Sequence, residues 1–232
     1  MTSLKRRARI AGLWYLGFTL GPFYLLYVPS RTIVHNDAAA TAARVVGHET
    51  LYRWGMLAET LGAIIFIGLS LALYRLFEGV DRHRARQLVA LVLVSSALGL
   101  VSVVFNAAAL LVFRGGPASA ALDAPARDAI GMLLIQMHGQ ATGINQTFWG
   151  LWLFPFGWLI VRSRFLPRWL GYWLLLDGIA WVVVGTTWFF APSYTDTLFR
   201  WLQPVFLAEL AAMLWLLIMG AKEQPIVPAA TV

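Results

Sequence analysis

The chain has 232 residues, of which 59% are hydrophobic and 12% charged, with a formal net charge of +7. An ordinary globular chain has roughly 45–50% apolar and about 25% charged residues, and disordered chains are poor in apolar and aromatic residues, so neither class fits. There is no Cys, which excludes a disulfide scaffold, Cys-ligated zinc, iron–sulfur clusters and thiol nucleophiles. An integral membrane protein remains.

A helical crossing needs ~20 apolar residues, and six stretches supply them, at approximately 8–28, 54–77, 88–113, 140–161, 169–190 and 199–221. A membrane β-barrel is disfavoured, because it would need ~10-residue segments of strict alternation. The fold class expected is therefore all-α, a single membrane domain over residues 1–232 built as a six-helix bundle.

The first stretch follows Lys5, Arg6, Arg7 and Arg9. Its apolar run is long for a signal peptide, and Pro29-Ser30-Arg31 follows it, so it reads as a retained anchor; cleavage near Ala38–Ala40 is the alternative. An Ala-rich outer segment then predicts a short helix near 38–47, capped by Asn36 or Asp37. Next comes His48-Glu49-Thr50-Leu51-Tyr52. A zinc-protease motif would need a second His where Tyr52 stands, so His48 and Glu49 read as partners of Arg44 and Arg53, with a proton relay to Glu59 as the other possibility.

The fourth stretch is awkward. Asp123-Ala124-Pro125 is a helix start signal, yet 128–161 would make a helix of ~51 Å. Either the helix projects outward or it breaks in the polar run His138–Gly143. Arg162 to Arg168, with Pro167 as breaker, predicts a tight connection to the fifth stretch. Gly17/Gly21 and Gly139/Gly143 read as small-residue packing sites.

Basic residues orient the chain. Twelve (Lys5, Arg6, Arg7, Arg9, Arg75, Arg82, Arg84, Arg86, Arg162, Arg164, Arg168 and Lys222) fall on one side and six (Arg31, Arg44, Arg53, Arg114, Arg127 and Arg200) on the other. The positive-inside rule puts both termini in the cytoplasm of a multi-pass protein of the cell inner (plasma) membrane. Its basic charge then calls for anionic lipid headgroups and not for nucleic acid.

Ionisable residues inside a span are costly and usually functional. Three carboxylates qualify, Glu59, Asp177 and Glu209. At ~1.5 Å per residue, Glu59 lies about 8 Å from the outer edge, Asp177 about 12 Å from the inner edge and Glu209 about 15 Å down. Asn106, Asn145 and Gln146 reach similar levels. His138, Thr142 and Asn145 share one helical stripe, and Asp177 has Trp173 and Trp181 a turn away on either side. The expectation is one apolar chamber holding all three acids.

Burial disfavours the charged form of a carboxyl group, and a neutral acid can donate a proton while aromatic faces stabilise a cation. The catalytic candidates are thus Glu59, Asp177 and Glu209, with Trp149, Trp173, Trp181, Asn106, His138 and Asn145 facing substrate. The chemistry expected is metal-free and cofactor-free acid–base work on a lipid or isoprenoid. A structural role, each acid hydrogen-bonding across helices, weighs equally for any one of them. Trp14, Trp54, Trp169, Trp188 and Trp201 suit interfacial belts. No magnesium–diphosphate motif, P-loop, GxGxxG or GxSxG is present, no span carries Lys, and one deep His does not make a bis-His haem.

Leu20-Gly21-Pro22-Phe23 resembles Leu153-Phe154-Pro155-Phe156, and Arg53-Trp54 resembles Arg168-Trp169. This is the pattern of an inverted repeat, as in transporters, although four-residue matches arise by chance in so biased a sequence. A proton-coupled small-molecule transporter is the alternative function, and a non-catalytic membrane or stress protein the third.

The chain resembles an uncharacterised bacterial membrane family, the domain-of-unknown-function 4386 group. The resemblance rests on Ala8-Arg9-Ile10-Ala11-Gly12-Leu13, Trp149-Gly150-Leu151-Trp152-Leu153-Phe154-Pro155 and Arg164-Phe165-Leu166-Pro167-Arg168-Trp169-Leu170-Gly171, and implies a topology but no activity. In size and acid placement the chain is also similar to the small integral-membrane terpene cyclases. That likeness implies Glu and Asp proton donors, although those proteins have seven spans.

Overall fold

The computed structural model describes residues 3–222, with backbone alone at 20, 22–26 and 118. The side chains of the first half of the suspected duplication, around Pro22, therefore lie outside the described residues. Among the described residues nine α-helices follow one another: α1 (Leu4–Thr32), α2 (Ala38–Gly47), α3 (Glu49–Phe77), α4 (Arg82–Arg114), α5 (Ala124–Leu151), α6 (Leu153–Ser163), α7 (Arg168–Phe190), α8 (Pro192–Trp201) and α9 (Gln203–Leu214). A 3-10 turn, Pro117–Ser119, precedes α5, and a π-helical turn, Trp215–Met219, extends α9. There is no strand among the described residues.

Short polar side chains start four of these helices by accepting an otherwise unpaired backbone N–H. Asp37 takes that of Ala40 at 2.8 Å, Asp81 that of Arg84 at 3.0 Å, Asp123 that of Ala126 at 2.9 Å and Ser3 that of Arg6 at 3.3 Å. Asn36, the other cap considered for α2, instead holds the left-handed turn before it, at φ 57°.

Proline sets the breaks. The long fourth segment is helical throughout His138–Gly143, and its break falls at Trp152. Pro155 has no N–H for the Leu151 carbonyl one turn back. The stretch read as a sixth span, 199–221, is divided in the same way. Its first three residues close α8, and Gln203–Met219 leaves α8 at 56° because Pro204 cannot bond back to Arg200. Among the described residues three helices, α3, α4 and α7, are long and apolar enough to cross a membrane, and α8 with α9 makes a fourth if the bent pair is one crossing.

Backbone packs directly against backbone where α5 and α6 meet α7. Gly143, Gly150 and Gly157 recur every seven residues, as do Gly171, Gly178 and Gly185. The two rows meet antiparallel. A Cβ on Gly150 would stand 2.5 Å from the Gly178 carbonyl oxygen, and one on Gly171 2.5 Å from that of Gly157. Toward the end of α7, Gly143 lies under Trp188 and Gly185 against Thr147. Such backbone contact is the usual way apolar helices gain packing energy where burial from water supplies none. The seam continues in register across the break at Trp152. Gly139, by contrast, has nothing within 4 Å of its Cβ position, so only Gly143 of that pair packs. Gly17 and Gly21 both lie on α3, against Ile65 and Gly62.

Two apolar cores result. The larger gathers α1, α3, α4, α6, α7 and α9 around Tyr15, Phe66, Phe77, Trp152 and Phe156. The smaller lies at the opposite end, where Val45 of α2 meets Val28, Tyr52, Leu110, Phe113 and Ile135.

Candidate functional site

Asp177 sits midway along α7, next to Gly178, in the larger core. It is wholly buried, and neither carboxyl oxygen has a hydrogen-bond partner. Glu209 of α9 lies alongside it. The Tyr15 hydroxyl of α1 donates to Glu209 Oε2 at 2.7 Å. The Trp181 indole, one turn from Asp177 on α7, faces Glu209 but its N–H is not in hydrogen-bond geometry. No Lys, Arg or His pairs with either acid among the described residues.

Aromatic rings wall this acid pair. Trp181 meets Trp149 edge-on at 5.2 Å, Phe206 at 4.5 Å and Phe199 at 5.8 Å. Glu209 remains partly exposed while Asp177 is sealed.

Glu59 is elsewhere. Its Oε1 lies 3.0 Å from His138 Nε2, between α3 and α5, and the two side chains are 10% and 20% exposed. The other oxygen, Oε2, is buried and unpartnered. One turn and more toward the start of α3, the Tyr52 hydroxyl donates to Asn106 Oδ1 at 3.0 Å. The expectation of one chamber for three acids fails on helical rise. Asp177 sits at the level of Gly150, through the Gly178 contact, and Glu59 at the level of His138, so about 18 Å of α5 separates the two groups.

The remaining candidates divide between these groups and the scaffold. Trp149 and Trp181 belong to the Asp177 group, and His138 and Asn106 to the Glu59 group. Trp173, one turn before Asp177 on α7, packs partly buried against the larger core and is tilted against Trp169 at 6.1 Å, with no ring contact to Trp149 or Trp181 among the described residues. Asn145 clamps α5 to α4: its Oδ1 accepts from Ser95 Oγ at 2.8 Å and its amide donates to the Ser95 carbonyl at 3.1 Å. Trp152, deep enough on sequence to face a pocket, is instead 1% exposed among Tyr15, Phe66 and Phe156. At the mouth of α3, Glu49 pairs with Arg53 at 2.7 Å and Arg114 at 3.5 Å, and His48 Nδ1 lies 3.0 Å from the Arg44 carbonyl. These contacts hold a helix junction.

Sequence reading missed Tyr15, Tyr52 and Ser95. Each is a hydroxyl in an apolar run, and a buried hydroxyl needs a partner, so each pointed to a polar contact without revealing which.

Two open surface depressions, one lined by Lys5, Trp215 and 219–222 and the other by 46–51 and Trp54, reach neither acid group. Among the described residues no three His, Asp or Glu side chains converge as ligands for a metal ion.

Comparison with known proteins turned up no matching curated protein and no matching solved structure. One family profile does match, over residues 10–220, from within α1 to the turn after α9. With that span covered, the chain belongs to the family described as Domain of unknown function (DUF4386).

Proposed function

We propose that this is a six-span protein of the cell inner membrane, both termini cytoplasmic, that carries out metal-free acid–base chemistry on a lipid or isoprenoid at Asp177 and Glu209. Two features support six crossings. The glycine seam aligns residues 138–160 with the whole of α7, so the end of α5 and α6 serve together as one crossing. Arg84 and Arg162 both lie over Trp158, at 5.4 and 4.9 Å, as basic and aromatic side chains do at a cytoplasmic membrane boundary.

The observation that carries the chemistry is Asp177, fully buried with both oxygens unpartnered beside a second carboxyl group. Native proteins seldom leave such atoms unpaired without a use for them. With no cation to neutralise it, the pair is equipped to hold a proton and hand it over. In the reading proposed, Asp177 delivers a proton to a carbon–carbon double bond. The resulting cation is stabilised by the faces of Trp149, Trp181 and Phe206. A proton lost from a neighbouring carbon returns to Glu209, whose charge Tyr15 steadies. The outcome is an isomerised or cyclised product with no net gain or loss of atoms, as in terpene-cyclase-like chemistry. Partial exposure of Glu209 supports entry of an apolar substrate sideways from the bilayer. Glu59 stands apart, already paired with His138, and becomes a positioning residue at most.

The test is mass spectrometry of lipid extracts from cells with the wild-type chain, the Asp177→Asn variant, or none. A product present only with wild type supports the reading, and identical extracts reject it. A second reading, a proton-coupled transporter, draws on one observation. Gly21 meets Gly62 between α1 and α3 as Gly157 meets Gly171 between α6 and α7, which agrees with an inverted repeat. It predicts flux in proteoliposomes under a pH gradient, with no new product.

A further inference from the structure

Lysine occurs twice in the chain, at 5 and 222. These two residues, from opposite ends of the sequence, line one surface depression of about 370 Å³ together with Trp215, Met219, Gly220 and Ala221. Three backbone features bring them together. The π-helical turn Trp215–Met219 closes with the Gly220 N–H donating to the Trp215 carbonyl at 2.9 Å. Gly220 then takes φ 71° and ψ −152°, a conformation essentially restricted to glycine, and reverses the chain. The Lys222 N–H donates to the Phe165 carbonyl at 3.0 Å, which fixes the returning strand of chain. Gly220 lies so close to the first turn of α1 that a Cβ there would be 3.0 Å from Lys5 Cγ. Arg9, one turn further along α1, donates from Nη2 to the Ile218 carbonyl at 3.3 Å.

Neither ammonium group has an ion-pair partner among the described residues. Two like charges gathered in one cleft repel each other unless an anion lies between them. The cleft sits at the end of α1 and of the last crossing, where headgroups lie in the topology proposed above. An indole at that level is at home, and an ammonium group binds phosphate as a compact point charge.

We propose that Lys5 and Lys222 form a binding site for the phosphodiester of an anionic membrane lipid, which ties the two ends of the chain together. The site rests on the membrane reading and is independent of the acid chemistry at Asp177.

Native mass spectrometry of the full chain, released from nanodiscs of equal phosphatidylglycerol and phosphatidylcholine, tests it. Wild type is expected to retain phosphatidylglycerol, and the Lys5→Gln/Lys222→Gln variant to lose that preference by about twenty- to thirty-fold. Lys5→Arg/Lys222→Arg keeps it, as does Arg44→Gln/Arg200→Gln at the opposite face. Equal retention of the two lipids by wild type, or an unchanged preference in the Gln variant, overturns the proposal. So does displacement of the lipid by millimolar inorganic phosphate, which would reassign the cleft to a free anion.

Discussion

Glu59 and Asp177 are both carboxylates in long apolar helices, yet their surroundings are opposite. Glu59 has an imidazole at 3.0 Å and a Tyr52–Asn106 hydrogen bond nearby. Asp177 has a second acid beside it, no base, and a wall of indole and phenyl rings. A buried charge with a partner needs no function to explain it; one left without a partner is costly unless it is used. In the function proposed, the difference separates an acid that holds α3 to α5 from an acid that acts in the chemistry.

The sharpest way to break this contrast is to neutralise each acid in turn. Asp177→Asn is expected to lower product formation by about 10²–10⁴-fold, the usual worth of a positioned proton donor, while Glu59→Gln stays within a few-fold of wild type. The comparison is read from product per mole of purified protein in liposomes. Equal losses in the two variants would put both acids in one mechanism and undo the distinction.

Packing around Asp177 comes next. Gly150→Ala places a methyl group against the Gly178 backbone, and overpacking of this kind costs about 1–3 kcal/mol. Gly139→Ala, with open space at the same helix, is expected to be neutral. Thermal unfolding followed by Trp fluorescence distinguishes them.

The Glu59–His138 pair should then show its structural role directly. A double-mutant cycle on Glu59→Gln and His138→Gln is expected to give a coupling energy of about 0.5–3 kcal/mol in stability, with little effect on turnover. Zero coupling would mean that the contact contributes nothing to the fold. The smallest effect expected is that of Tyr15→Phe. It removes one hydrogen bond to Glu209, worth about 0.5–1.5 kcal/mol, and should slow turnover by no more than about ten-fold. A loss as large as that of Asp177→Asn would make Tyr15 itself a proton carrier.

Much of the scaffold was legible in residues. Asp123-Ala124-Pro125 announced α5 and Asp37 capped α2, because a short acceptor side chain before a helix acts locally. The glycine seam was equally visible, as two rows at a seven-residue spacing, but attention to three-residue gaps picked out Gly139 in place of Gly150 and Gly157. The break before Pro155 was also written in the chain, since a proline acts on the carbonyl one turn earlier; the polar run His138–Gly143 drew the prediction away from it. Polar residues do not break a helix whose backbone bonds stay intact.

What the sequence by itself determined is the kind of object this is: apolar helices, their starts and stops, a basic end, and a few acids that have to be accommodated. These follow from local hydrogen bonding and from transfer energies that each segment carries alone. Only the tertiary structure decided which acid meets which neighbour. Rotation of a helix about its axis and its choice of partner depend on contacts between segments distant in the chain, so Glu209 beside Asp177, His138 beside Glu59, and Lys5 beside Lys222 could not be read from any one of them.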